Sequence, residues 1–238
     1  MAFIKKIFKL KYLLRFVMFT FAASIVYVTV RIILAPTVAP DTDTGVIVRV
    51  KGDYVLMLAQ SIVGVFAMLL PGLLERRIHL HIPSVMLVSY ALFLFGAIYL
   101  GEVRRFYYTV PNWDSILHVF SAAALGSIGF SIVNILNKSE SVTFSLSPVF
   151  VALFAFCFAL SLGALWEIYE FSMDGILHTN MQKYALESGE KLLGQAALSD
   201  TMKDIIVDAI GAFVMSSVGY ISLKYKKGWL EQFEVKRI

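Results

Sequence analysis

Residues 148–172 read PVFVALFAFCFALSLGALWEIYEFS, an apolar run that closes on Trp166-Glu167-Ile168-Tyr169-Glu170. About 20 mostly apolar residues are needed for a helix to cross the hydrocarbon core of a bilayer, and this stretch has that length. Five more runs of the same kind lie at roughly 13–35, 54–74, 83–101, 114–136 and 204–223. Composition agrees with them. Of 238 residues, 58% are hydrophobic and 16% charged, and mean hydropathy is +0.75. Soluble domains carry about 45–50% apolar and about 25% charged residues, so disorder, a fibre and an ordinary soluble enzyme are excluded. The short alternating segments of a barrel are absent. In lipid, backbone polar groups must then be satisfied within each segment, which leaves helices. The expectation is all-α: a polytopic membrane helix bundle of about six transmembrane helices, one integral membrane domain over 1–238, located in the cell membrane.

Charge sets the expected orientation, because cytoplasmic segments carry the excess of Lys and Arg. With the N-terminus inside, Lys5, Lys6, Lys9, Lys11, Arg15, Arg76, Arg77, Lys138, Lys224, Lys226, Lys227, Lys236 and Arg237 all fall on the inner side. An N-in, C-in topology follows. Arg104 and Arg105 then fall outside, against the rule, and call for anionic partners. The basic N-terminus followed by an apolar stretch resembles a secretory signal. The stretch is too long for one, and Ala35-Pro36-Thr37-Val38-Ala39 is a poor cleavage site, so an uncleaved first span is expected. The basic termini are read as attracted to the lipid bilayer's anionic headgroups, with no nucleic-acid partner. The single cysteine, Cys157, provides no disulfide framework. Oligomeric state is not readable.

Polar residues beside the spans carry the chemistry. The fourth span opens with Trp113-Asp114-Ser115-Ile116-Leu117-His118, and Asp114 and His118 share a helix face at i, i+4. Glu167 and Glu170 share a face near the end of the fifth. The sixth opens with Asp200, Asp204 and Asp208, spaced by four, an acidic stripe that drifts slowly around the helix. In the N-in topology all three clusters face the outer side, with Glu102, Arg104 and Arg105 at the same level. Asp114, Asp200 and Asp204 also suit helix N-termini, where capping and the dipole favour a carboxylate, and for Asp200 capping is the stronger reading. Glu167 and Glu170 are expected at a helix C-terminus, where negative charge is disfavoured and a cation is needed: His118, Arg104, Arg105 or a metal. Ionisable residues within spans are functional candidates by default. Small residues, Ala122 to Gly129 in the fourth span and Ala209 to Gly219 in the sixth, allow those helices to approach closely and would bring His118 near Asp208.

Several carboxylates with one imidazole suit a divalent cation held through oxygen and nitrogen, or general acid–base work. The candidate catalytic and metal-ligating residues are therefore Asp114, His118, Glu167, Glu170, Asp204 and Asp208, with Arg104 and Arg105 as substrate-binding anion clamps. No cofactor is identified beyond a divalent cation. The connection 173–203 is long enough for a lid, and 180–193 has the pattern of a surface amphipathic helix. Asp43-Thr44-Gly45 is a chance match to an aspartic protease signature, and Asp41 to Gly45 a poor calcium loop. His79-Leu80-His81 reads as a solvated turn. Tyr107, Tyr108, Trp113, Trp166 and Tyr169 read as an interfacial aromatic belt.

The pattern Trp113-Asp114…His118, Glu167…Glu170, Asp200-Thr201…Asp204…Asp208…Gly211 resembles that of the YjdF-type bacterial membrane proteins. More loosely it is similar to VanZ-like proteins, some associated with glycopeptide resistance. The resemblance covers about the last 135 residues. Asp208 stands where the VanZ-like pattern has asparagine, and the second glutamate is an addition. The resemblance implies a polytopic protein of the bacterial cell membrane and no substrate. Whether the chain is an enzyme stays open. The leading expectation is an outward-facing Asp/His/Glu site performing metal- or acid–base-assisted chemistry on an envelope or lipid-linked substrate. The alternatives are a transporter or ion-coupling protein, and a non-catalytic binding or resistance protein.

Overall fold

The computed structural model describes residues 2–37, 49–137, 146–186 and 190–237. Asp41, Asp43-Thr44-Gly45, Lys138 and Gly189 lie outside the described residues. Among the described residues the protein is all-α apart from one two-residue strand pair and one isolated bridge. Among the described residues six helices are long and apolar enough to cross a membrane: Leu10–Leu34, Lys51–Arg77, Ser84–Val103, Trp113–Asn137, Pro148–Leu177 and Gln195–Lys224, with mean hydropathy of 1.7 to 2.4. The chain forms two compact units, one of Met1–His79 with Met86–Trp113, the other of Leu80–Val85 with Asp114–Ile238.

In the first unit α1 (Ala2–Leu34) packs along α2 (Lys51–Ile78). Val17 and Phe21 of α1 bury against Ala91 and Leu94 of α3 (Ser84–Leu94). A second cluster, Val28, Ala35, Tyr54 and Met57, closes the other part of the α1–α2 seam. Two features depart from the sequence reading. The second span, expected to end near residue 74, runs as α2 through Pro71 to Ile78 and ends at His79 in the left-handed region, φ 50°. A proline inside a membrane helix is tolerated because neighbouring groups re-satisfy the freed backbone. The third span continues from α3 as a π-helix, Phe95–Val103. Its wider turn disturbs the backbone ladder, and the Trp113 indole donates to the Gly96 carbonyl at 3.2 Å. The Tyr107 ring lies so close to Gly101 that any Cβ there would collide with it. The short helix α4 (Phe106–Thr109) follows.

The second unit is built from α5 (Trp113–Asn137), α6 (Pro148–Leu177) and α7 (Gln195–Lys224). Ser147 caps α6 by accepting from the Phe150 N–H at 3.3 Å, and Pro148 follows at the first helical position, where its missing N–H costs nothing. Helices α6 and α7, 30 residues each, are about 45 Å long. They exceed the roughly 30 Å hydrocarbon core. Leu80–His81, read from sequence as a turn, forms β1, antiparallel to β2 (Lys236–Arg237). Glycines set the helix spacing. A Cβ on Gly129 would lie 2.9 Å from Ala155 Cα, and one on Gly211 would lie 2.5 Å from the Val119 carbonyl oxygen.

The distribution of polarity is that of a protein in lipid. Phe19 (71% exposed), Phe66 (67%) and Phe213 (64%) face outward, while Glu167 (4%), Asp204 (2%) and Asp208 (1%) are buried. In water that arrangement is unfavourable on both counts. In a bilayer the exposed apolar surface is already solvated, and the polar groups belong inside.

Gly211→Leu forces α5 and α7 apart, and it is expected to cost about 1–3 kcal/mol, as overpacking does. Gly72→Ala, whose Cβ meets nothing within 4 Å, keeps the wild-type midpoint. Thermal unfolding of both variants in the same detergent checks this.

Candidate functional site

Asp114 sits in the first turn of α5 and His118 one turn on, so both project from one face. From α7 come Asp204 and Asp208, and from α6 Glu167. His118 Nδ1 lies 3.2 Å from Asp208 Oδ2. Its other nitrogen, Nε2, lies 3.9 Å from Asp114 Oδ1 and 3.8 Å from Glu167 Oε1. Ligand atoms of Asp114, His118 and Asp204 all fall within 4.8 Å of one another. The separations from Nε2 are too long for hydrogen bonds but suit donors arranged around a shared ion. Two donors on arms of ~2.1 Å stand ~3.4 Å apart in a tetrahedral site.

Burial makes the cluster demanding. Both oxygens of Glu167 and Oδ1 of Asp208 are buried without a hydrogen-bond partner. An unpaired buried carboxylate is costly and requires a proton or a cation. The centre therefore holds the donor types of a divalent-cation site, with more negative charge than the lone imidazole can balance. The backbone makes the room: Gly163 of α6 is packed directly against the Asp208 carboxylate, with no space for a methyl group.

Several residues of the second unit stand elsewhere on their helices than the sequence predicts. Helix α6 extends to Leu177, so Glu167 and Glu170 lie inside it and not at its C-terminus. Glu170 is a turn beyond the ligand trio and accepts from the Trp166 indole at 2.9 Å, which gives Trp166 a polar task beyond an interfacial belt. Helix α7 begins at Gln195, so Asp200 sits in its second turn and does not cap it. Arg104 and Arg105 belong to the first unit. There Arg104 closes the π-helix through its N–H to Tyr99 O at 2.9 Å, and the Arg105 guanidinium lies over the Tyr108 ring at 5.8 Å.

The cation bonded to the cluster is Lys183. Its Nζ donates to Asp114 Oδ2, and to Asp200 Oδ1 and Oδ2 at 2.9 and 3.0 Å. Burial alone would lower the Lys183 pKa. The two carboxylates outweigh it and hold the ammonium above the ordinary lysine value. Residues 180–193 do not form the expected surface helix. Their described part makes a turn and an antiparallel bridge between Ala185 and Lys191. The local reason is side-chain competition for the backbone. Asp174, at the end of α6, accepts from Thr179 Oγ1 (2.5 Å), Met181 N (2.7 Å) and Gln182 N (3.0 Å). Asn180 donates to Ala185 O at 2.7 Å and accepts from its N–H at 3.0 Å. The sequence reading passed over Lys183 and Asp174. Their one local signal is a lysine in a connection flanked by Asp and Asn turn formers.

The family model described as "Predicted membrane protein (DUF2238)" matches residues 13–225. The chain belongs to that family and is a multi-pass integral membrane protein of the cell membrane. A Thermotoga maritima protein described as uncharacterized is 31% identical over 152 residues, covering 63% of this chain and 69% of its own length. No solved structure matches.

Asp174→Ala removes three acceptor bonds from the connection. At about 1.5–3 kcal/mol for a bond to a charged group, amide exchange at Met181 and Gln182 is expected to accelerate at least tenfold. Hydrogen-exchange mass spectrometry on the detergent-purified protein reads this directly.

Proposed function

We propose that this protein is an integral membrane protein whose acid–histidine centre holds a divalent cation and carries out metal- or acid–base-assisted chemistry on an envelope or lipid-linked substrate. One observation carries the reading. His118 spends Nδ1 on Asp208, which leaves Nε2 facing Asp114 and Glu167, with Asp204 in the same ligand trio. A metal-ligating histidine characteristically donates its second N–H to a carboxylate, which fixes the tautomer and orients the ring. Asp114, His118 and Asp204 would hold the ion, with Glu167 as a further ligand or a base, and Asp208 as the partner of His118. A bound divalent cation supplies Lewis acidity and a more acidic water. The residues themselves do the rest: Asp208 holds the imidazole, and the orphaned Glu167 carboxylate is placed to accept a proton.

The transporter reading is weaker on one count. Beyond the acidic cluster, Ala122, Ala159 and Ala212 pack together with Leu125 and Phe156 into an apolar layer across the second unit. We also propose the N-in, C-in orientation, supported by the basic residues at both termini and at Arg76-Arg77. It would put the acidic centre on the outer side. Kinship with the YjdF-type proteins is likewise a proposal, supported by the quoted Asp/His/Glu pattern.

Two measurements follow. Wild-type protein loaded with Mn²⁺ and desalted is expected to retain close to one equivalent by elemental mass spectrometry. His118→Ala retains none, and Asp208→Asn binds about 10–100-fold more weakly, as loss of a ligand's supporting carboxylate does. Folded wild type that retains no Mn²⁺, Mg²⁺, Ca²⁺ or Zn²⁺ overturns the metal reading. For orientation, single cysteines at Lys227 and Lys191 in a Cys157→Ser background are challenged with a membrane-impermeant maleimide on intact cells. Labelling at Lys191→Cys alone is expected, and labelling at Lys227→Cys reverses the topology.

A further inference from the structure

Six acidic groups of the second unit, Asp114, Glu167, Glu170, Asp200, Asp204 and Asp208, are not equivalent. Asp200 gives both its oxygens to the Lys183 ammonium. Glu170 is engaged by Trp166, and Asp208 by His118. Asp114 is shared: Oδ2 takes Lys183, while Oδ1 turns toward His118 Nε2. A first-turn aspartate on a helix has other uses for its carboxylate, because the free backbone N–H groups beside it compete for the same oxygens. Something must hold it turned toward the imidazole.

The connection between α6 and α7 is organised around delivering one lysine. Lys183 adopts φ 48°, a left-handed conformation that a bulky residue takes only when its surroundings over-determine it. Those surroundings are the three bonds to Asp174 and the two between Asn180 and Ala185. Gln182, next to it, donates to Thr201 Oγ1 of α7 at 2.7 Å. The lysine is thus fixed from both sides before its side chain reaches the carboxylates.

We propose that Lys183 is a positioning residue of the metal centre: through Asp114 Oδ2 and Asp200 it holds Asp114 Oδ1 toward His118 and ties the Asn180–Ala185 stretch to the first turn of α5 and the second turn of α7. The inference rests on the metal reading above. Lys183 does not ligate the ion. It fixes a ligand, as outer-sphere partners in metal sites do. An opposing effect exists, because a fixed ammonium repels a second cation. The two effects predict opposite signs when the lysine is neutralised, which makes the choice measurable.

The test titrates Mn²⁺ into purified wild type, Lys183→Met, Lys183→Arg and Asp200→Asn, following free Mn²⁺ by its electron paramagnetic resonance signal and the lineshape of the bound ion. Gel filtration in detergent confirms that each variant is folded. Lys183→Met is expected to bind about 10–100-fold more weakly, with an altered bound-state lineshape. Lys183→Arg restores affinity to within about threefold, and Asp200→Asn falls between them. Hydrogen exchange over Gln182 to Leu186 is expected to slow on Mn²⁺ addition in wild type and not in Lys183→Met. Should Lys183→Met not fold, the Lys183→Arg and Asp200→Asn pair carries the same comparison. Wild-type affinity and lineshape in Lys183→Met overturn the inference and leave the metal reading intact. Tighter binding also overturns it, since Lys183 would then act as a competing cation. Absence of Mn²⁺ binding in wild type overturns both.

Discussion

The bond between His118 Nδ1 and Asp208 Oδ2 is the constraint on which the second unit depends. It joins α5 to α7 through two side chains, each under a tenth exposed, at a level where a charge has few other partners. To make it, the helices must come almost to backbone contact. The sequence meets that demand with glycine: Gly211 lies under the Val119 carbonyl, and Gly163 leaves the space that the Asp208 carboxylate fills. Close packing of small residues is the main device by which membrane helices associate, since lipid removes the hydrophobic drive between them. Packing and chemistry are here one arrangement, because the residues that permit the approach also place the imidazole among the carboxylates.

The negative charge gathered by that approach exceeds what the local cations balance. One region of the unit is held by Lys183, which bonds both oxygens of Asp200 and one of Asp114. The other is not, and the buried oxygens of Glu167 and Asp208 without partners mark it. The division gives the two sides different tasks, one structural and ammonium-bound, the other facing the free nitrogen of an oriented histidine. Next to the acidic cluster, Ala122, Ala159 and Ala212 pack into an apolar layer.

The first unit has its own polar core, of a different kind. The Arg49 guanidinium donates to the Glu102 carbonyl at 2.9 Å, and Gln60 donates to the Glu102 side chain at 3.1 Å. These contacts meet the π-helix where its backbone is least regular. Arg49 supplies hydrogen bonds to the Glu102 and Val103 carbonyls at the end of the π-helix, where the last carbonyls of a helix lack an intrahelical donor. Arg49 does this work from the segment just before α2, a position its place in the chain does not advertise.

Much of the protein is written in local properties. Apolar length alone marks the six spans, because crossing a bilayer is a one-dimensional requirement. The i, i+4 and i, i+3 spacings alone place Asp114 with His118 and Glu167 with Glu170 on shared faces, because helical geometry is fixed. Helix ends are less accessible to such reasoning. The second span was expected to end near residue 74 and the sixth to begin near Asp204. Neighbouring chain supports both helices beyond those points. Three-dimensional packing alone decides that Lys183, 69 residues from Asp114, is its partner, and that Asp200 bonds a lysine and does not cap. Those pairings depend on where a connection of irregular backbone folds back. Such a connection has no period to read, and its course is set by Asp174 and Asn180 side chains that bond irregular backbone five to eight residues on.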